Sequence, residues 1–310
     1  MQKLTKYFRM SITDQCTLSC YFCHNEGQCQ SASAEKLTAE DFIWVCGQMK
    51  SIGFEKFKIT GGEPTLRNDL PEIIMGIKKH GIDDVSIITN GTLLKKSLPK
   101  LMDAGLKRLN ISMYSLSKDK FRRDNGGSSR QLESIKAGID NVLENGFLDT
   151  KLNYVFHGSR DIDELERMLS YASDKNLILV ILPLIPISIR VGDENTSLQE
   201  LRAILSIWGI EKEIVCQDKE GISKRFITMK SGATVLLRDD ELSAKLPYKD
   251  CITCSEKSEC REGIFPLRMT SIGEFIPCLA GGVARVSART VIKARDSKRL
   301  LKLVKGVMER

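Results

Sequence analysis

Three thiols fall within eight residues of this chain: Cys16, Cys20 and Cys23, in the run CTLSCYFC. Thiolates at i, i+4 and i+7 can converge on one metal centre if the segment loops rather than runs straight. A complete structural zinc or iron–sulfur site takes four protein ligands, so this group is one ligand short. Two readings stay open. In one, His24 completes a Cys3His zinc site, although the adjacent Cys23 and His24 suit one tetrahedral ion badly. In the other, three cysteines hold a four-iron cluster and leave one iron open to a ligand that is not protein.

A second group comprises Cys251, Cys254, Cys260 and Cys278. Its composition suits a four-cysteine zinc site or a further iron–sulfur cluster. Cys29, Cys46 and Cys216 complete the ten cysteines and read as buried or incidental thiols. Three short motifs also carry chemistry: TGGEP (Thr60 to Pro64), TNG (Thr89 to Gly91) and SMYS (Ser112 to Ser115). In the first, glycines let backbone approach a ligand closely, and the Glu63 carboxylate suits an ammonium group.

Such residues need elements to position them. From Tyr7 to about Pro186 the chain alternates short apolar runs with amphipathic segments of helical length. Strands are expected at Tyr7–Thr13, Lys56–Thr60, Val85–Thr89, Leu109–Met113, Lys151–Val155 and Leu177–Leu182. Helices are expected at Ala39–Ile52, Leu70–His80, Lys95–Ala104, Gln131–Asn145 and Asp161–Lys175. Gly53, Gly81, Gly105 and Gly146 supply the helix stops. Repeated βαβ units of this kind build an α/β fold, and functional groups then belong at the C-terminal ends of the strands. The cysteine group and the three motifs fall at the ends of the first four strands, on one rim. His157 ends the fifth and is expected at the barrel mouth.

After Pro186 the pattern changes. Ser197–Ile207 reads as a helix, and FITMKSGATVLLRDD as a hairpin turning at Ser231-Gly232. The expected division is a barrel over residues 1–190 and a smaller α+β domain over residues 191–310. Residues 280–310 hold nine Lys or Arg and two Asp or Glu, which accounts for the whole net charge of +7. That tail has no aromatic residue, so nucleic-acid binding is not expected. It reads as a helix with a solvated basic face and an apolar face of Leu300, Val304, Val307 and Met308.

Taken together, the motifs resemble the radical S-adenosylmethionine (SAM) superfamily. C-x3-C-x2-C with an aromatic, Phe22, before the last cysteine is similar to its cluster signature. Gly61, Gly62, Glu63 and Pro64 match its Gly-Gly-Glu-Pro motif. The resemblance implies a partial (β/α)6 TIM-like barrel holding a 4Fe–4S cluster on Cys16, Cys20 and Cys23, with SAM on the open iron. An electron passed to the sulfonium yields methionine and a 5′-deoxyadenosyl radical, which abstracts hydrogen from a substrate. Thr89, Asn90 and Ser112 would line the SAM site.

The runs YFRMSITDQCTLSCYFC, KFKITGGEPTLRNDL, SIITNGTLL and LMDAGLKRLNISMYSLSKDKF look like the branch of GTP 3′,8-cyclases in molybdenum-cofactor biosynthesis. The later cysteines, with Gly273 before Cys278, resemble a twitch or shortened SPASM domain, which implies a second 4Fe–4S cluster. By the same resemblance Arg9, Lys58, Lys151 and Arg268 would bind substrate. The match also has departures. Val180 stands where the cyclases have an arginine, Pro183 where they have an acid, and Pro266 where Arg268 would have a companion. The chain ends at Glu309-Arg310 without a Gly-Gly tail. The resulting expectation is a small anionic or nucleotide-like substrate other than GTP. GTP cyclisation and peptide maturation are the alternatives.

Composition is that of a soluble globular chain, with 310 residues, 42% hydrophobic and 28% charged. No apolar run reaches the ~20 residues of a membrane span, and the N-terminus lacks a signal-peptide pattern. A cytoplasmic enzyme is expected. Its implied partners are a small-molecule substrate, a flavodoxin or ferredoxin as reductant, and a second copy of itself.

Overall fold

Alternation along the first strand sets the geometry of the whole sheet. Phe8 and Met10 are fully buried on one face, while Tyr7 and Arg9 point to the other. The buried face receives Phe54, Phe57 and Phe275, with ring centroids 6.0, 5.9 and 6.4 Å from that of Phe8. Rings at these separations pack favourably edge-on. The polar face is thereby turned inward, toward the lumen of a barrel.

The computed structural model of the chain describes residues 6–23, 35–147, 149–184, 196–218, 222–239, 242, 266–278 and 284–309. Six parallel strands build the barrel: β1 (Lys6–Ser11), β2 (Phe54–Thr60), β3 (Asp84–Thr89), β4 (Arg108–Ser112), β5 (Asp149–Phe156) and β6 (Ile178–Pro183). The helices that cross between them are α1 (Ala39–Ser51), α2 (Leu70–Lys79), α3 (Leu94–Asp103), α4 (Lys118–Asn125), α5 (Ser129–Glu144) and α6 (Ile162–Asp174). Each expected strand and helix of this half is present within a few residues of its expected ends. Helix α4 is an addition. Its sequence, KDKFRRDN, buries only Phe121 among apolar side chains, so it has no hydrophobic period to read. It starts on the Ser117 side-chain cap and stops at Gly126, which has φ 62°.

The later residues join both edges of the same sheet. Helix α7 (Leu198–Ile207) precedes the strands β7 (Ile210–Gln217), β8 (Ser223–Met229) and β9 (Thr234–Asp239). β9 pairs parallel to β6, and β8 and β7 follow antiparallel. On the other side β10 (Pro266–Met269) pairs parallel to β1, followed by β11 (Glu274–Ile276) and β12 (Val286–Ser287). The sheet order is β12-β11-β10-β1-β2-β3-β4-β5-β6-β9-β8-β7. Among the described residues the ends of this order do not pair, so the barrel is partial. β7 escapes sequence reading because most of its residues are exposed and charges interrupt its apolar residues.

The tail forms α8 (Arg289–Lys293) and α9 (Ser297–Met308). Leu300, Val304 and Val307 are buried, but Met308 is 38% exposed, so the expected apolar face is one residue narrower. The basic charge is not all solvated. Lys293 and Arg295 both reach Asp41, a 3% exposed carboxylate in the first turn of α1, at 2.6 and 2.9 Å. Burial raises the Asp41 pKa, but Lys293 and the hydrogen bonds with Thr38 hold it below the usual carboxylate range. Among the described residues no helix is long and apolar enough to cross a membrane.

Candidate active site at the mouth of the barrel

The cysteine loop follows β1 and is held from three sides. From β2 come the glycines. Gly62 N donates to Thr13 O and Glu63 N to Gln15 O, each at 2.7 Å. A Cβ on Gly62 would stand 2.1 Å from the Gln15 carbonyl, and one on Gly61 2.7 Å from that of Thr13. These glycines were expected to admit a ligand. In the structure they admit the backbone of the cysteine loop itself.

From β3 comes the TNG turn. Asn90 Nδ2 donates to Thr17 Oγ1 at 2.9 Å and stands 3.6 Å from the sulfur of Cys16. Glu63 is fully buried and ties this turn to the GGEP motif. Its carboxylate accepts from Thr89 Oγ1 and Asn90 N at 2.6 Å, and from Thr65 N at 3.0 Å. Burial raises its pKa and these donors oppose the rise.

The third side is α4, which the sequence pattern did not mark, and the start of α5. Asn125 Nδ2 donates to Cys20 Sγ at 3.1 Å. Ser19 N and Tyr21 N donate to Asn125 O and Asp124 O at 2.9 and 3.1 Å. Gln131 closes a capping box with Ser128 and also donates to Thr17 O at 2.9 Å.

Cys16 and Cys23 are exposed and Cys20 is half-buried. Burial raises the pKa of Cys16, and raises that of Cys20 to about 12. The other two thiols of the group add to the rise at Cys20 and Asn125 opposes it, while Asn90 opposes the rise at Cys16. Three thiols that feel one another's charge, with amide donors aimed at two of them, suit an electron-rich thiolate cluster. Among the described residues no three Cys, His, Asp or Glu side chains converge tightly enough to hold a single metal ion. His24, Cys29, Cys251, Cys254 and Cys260 lie outside the described residues. Cys278 is described and half-buried.

Behind the loop lies an aromatic brace. Phe22 is buried, with its ring 4.8 Å from Tyr114 and 5.2 Å from His157. His157 is 1% exposed and shares a 2.8 Å hydrogen bond with the Tyr21 hydroxyl through Nδ1. Burial, then the Lys120 charge, lower its pKa to about 4, against the pull of Asp161 and Asp124. The histidine expected at the mouth thus supports the cysteine loop from behind. Ser112 is buried at the end of β4, beside Tyr114.

Below the rim, the lumen is cationic. Arg9 stands in register between Lys58 of β2 and Arg268 of β10. The Tyr7 ring packs under Lys56 and Lys58, 5.3 and 5.8 Å from their ammonium groups. Burial depresses the Lys58 pKa, with further contributions from Arg9, Lys56, Arg108 and Lys224. Ser11 and Ser86 have buried hydroxyls with no hydrogen-bond partner among the described residues. Lys151 pairs with Asp149 at 3.2 Å, and Arg108 with Asp84 and Asp149. These carboxylates balance the charge on the β4–β5 side.

A partial barrel with three thiols after its first strand and a GGEP turn after its second defines a class of enzyme. The chain belongs to the radical SAM superfamily, whose profile matches residues 10–172. It is a SAM-dependent radical enzyme that holds a 4Fe–4S cluster. Within that class it is similar to curated proteins named probable GTP 3′,8-cyclase. One, from Methanococcus maripaludis strain C5, is 30% identical over 272 residues, covering 88% of this chain and 84% of the relative. Another, from Methanococcus aeolicus, is 31% identical over 277 residues, covering 88% and 85%. Among solved structures, Streptococcus suis SuiB bound to S-adenosylmethionine matches with a TM-score of 0.60 and 17% identity, covering 93% of this chain. The chain spans 62% of SuiB's length, and this likeness shows the fold.

Proposed function

We propose that this enzyme acts on GTP in the manner of a GTP 3′,8-cyclase. The observation that carries the proposal is the row Lys58–Arg9–Arg268 across β2, β1 and β10. Cationic side chains on three neighbouring strands repel one another across a low-dielectric lumen. A polyanion in the lumen converts that repulsion into binding, and arginine forks suit phosphate oxygens. The departures at Val180, Pro183 and Pro266 favour another substrate. Against them, similarity to the curated cyclases covers 88% of the chain, and this supports GTP.

Cys16, Cys20 and Cys23 would hold the cluster, and Gly61, Gly62, Thr89, Asn90 and Ser112 would surround SAM. When bound, the pair supplies a 5′-deoxyadenosyl radical for hydrogen abstraction. Glu63 has its oxygens engaged by Thr65, Thr89 and Asn90. It therefore serves by its charge and by fixing the Thr89–Asn90 turn. Phe22, wedged between Tyr114 and His157, keeps the loop rigid and the site dry. Cys278, with Cys251, Cys254 and Cys260, would hold a second 4Fe–4S cluster, and a flavodoxin or ferredoxin would supply electrons.

The test is anaerobic reconstitution followed by assay of 5′-deoxyadenosine and of the nucleotide product, with and without GTP. GTP-stimulated SAM cleavage with formation of a cyclised product is expected. SAM cleavage that is indifferent to GTP, with GTP recovered intact, overturns the proposal.

A further inference from the structure

Lumen-facing cations also come from the opposite wall of the barrel, on the hairpin of β8 and β9. Lys224 and Arg238 are cross-strand partners, two residues along from the pair Phe226 and Leu236. Leu236 in turn stands in register with Val180 of β6. The residues between them, Ile227, Val235 and Leu237, belong to the hydrophobic core, as Leu179 and Ile181 do on β6. Strand alternation therefore turns Val180, Leu236, Phe226, Arg238 and Lys224 to the lumen face.

The curl of the sheet brings this wall opposite the first. β8 and β2 are far apart in the sheet order, yet the charge of Lys224 acts on Lys58. Lys224 is anchored by Asp218 at 2.5 Å. Arg238 is half-buried, and its Nε is shielded from solvent. A side chain held in that way reaches the lumen with little rotamer freedom to lose. Arg238 also lies two residues beyond the register partner of Val180, the position at which the cyclase resemblance leads one to expect arginine.

We propose that Arg238 and Lys224 form a second anion-binding wall, which grips a nucleoside triphosphate across the lumen from Arg9, Lys58 and Arg268. The inference rests on the GTP reading above and adds two specificity-determining residues to it. A triphosphate carries three phosphoryl groups and can offer oxygens to both walls, whereas a monophosphate carries one.

The experiment measures binding to the reconstituted full chain under anaerobic conditions, with iron content and circular dichroism confirming the fold of each variant. Parent, Arg238→Ala, Lys224→Ala and Arg238→Lys are titrated with GTP, GMP and inorganic tripolyphosphate. Each alanine variant is expected to weaken GTP and tripolyphosphate about 10-fold, the scale of one charge-assisted hydrogen bond. GMP should change by less than about 3-fold, and Arg238→Lys should recover part of the loss. Unchanged tripolyphosphate affinity in both alanine variants, or equal losses for GMP and GTP, overturns the second wall. A parent that binds tripolyphosphate as tightly as GTP, with both weakened in the variants, upholds the wall and removes the GTP reading.

Discussion

Asn125, the last residue of α4, donates its side-chain amide to the sulfur of Cys20 at 3.1 Å. A helix with almost no apolar face thus ends on a thiol of the cysteine loop. Its backbone holds the same loop, through Ser19 and Tyr21.

Hydrogen bonds to ligating sulfurs stabilise the reduced, more negative state of a cluster. Asn125→Leu removes the donor while leaving the backbone contacts. The midpoint potential should fall by roughly 50 mV, the scale of one such bond to a charged group in a one-electron couple. A redox titration followed by electron paramagnetic resonance reads this directly. An unchanged potential with intact iron content would show that the contact is structural only.

Gly62→Ala places a methyl group 2.1 Å from the Gln15 carbonyl. Backbone cannot yield cheaply there, so the GGEP turn and the cysteine loop must part. A loss of about 2–3 kcal/mol of stability is expected, together with iron content below half of the parent's. Gly81→Ala is the control, because a Cβ there has open space and only its backbone conformation is at issue.

His157 makes stability depend on acid. Its folded pKa of about 4 lies below the ~6.5 of an exposed histidine, so the unfolded chain binds the proton first. Stability should fall as pH drops from about 6.5 to 4, by ~3 kcal/mol when complete. Lys120, Asp161, Asp124 and Arg160 surround the ring and set the balance. Chemical unfolding of parent and His157→Gln across this range isolates the contribution. Parallel pH profiles for the two would remove it.

The proposed second cluster has a simple readout. About eight irons per chain are expected after reconstitution, and about four in a variant lacking Cys251, Cys254 and Cys260. Four in the parent would leave only the cluster on Cys16, Cys20 and Cys23. Alanine at those three positions should abolish SAM cleavage.

Much of this was legible in the residues themselves. Period-two and helical patterns marked the six barrel strands and five of their helices, because each buries one apolar face of fixed period. Cys16, Cys20, Cys23 and the GGEP turn declared their chemistry by type and spacing, since ligand geometry constrains a short loop locally. Tertiary structure decided the rest. Asn125, Gln131 and His157 lie 105, 114 and 136 residues from the loop residues they brace, and those partners are set by strand register and helix docking. The same holds for the lumen. Arg9, Lys58 and Arg268 become one row only when the sheet brings distant strands side by side. Sequence alone identified the radical generator; the grouping of charge in the lumen is a property of the curled sheet.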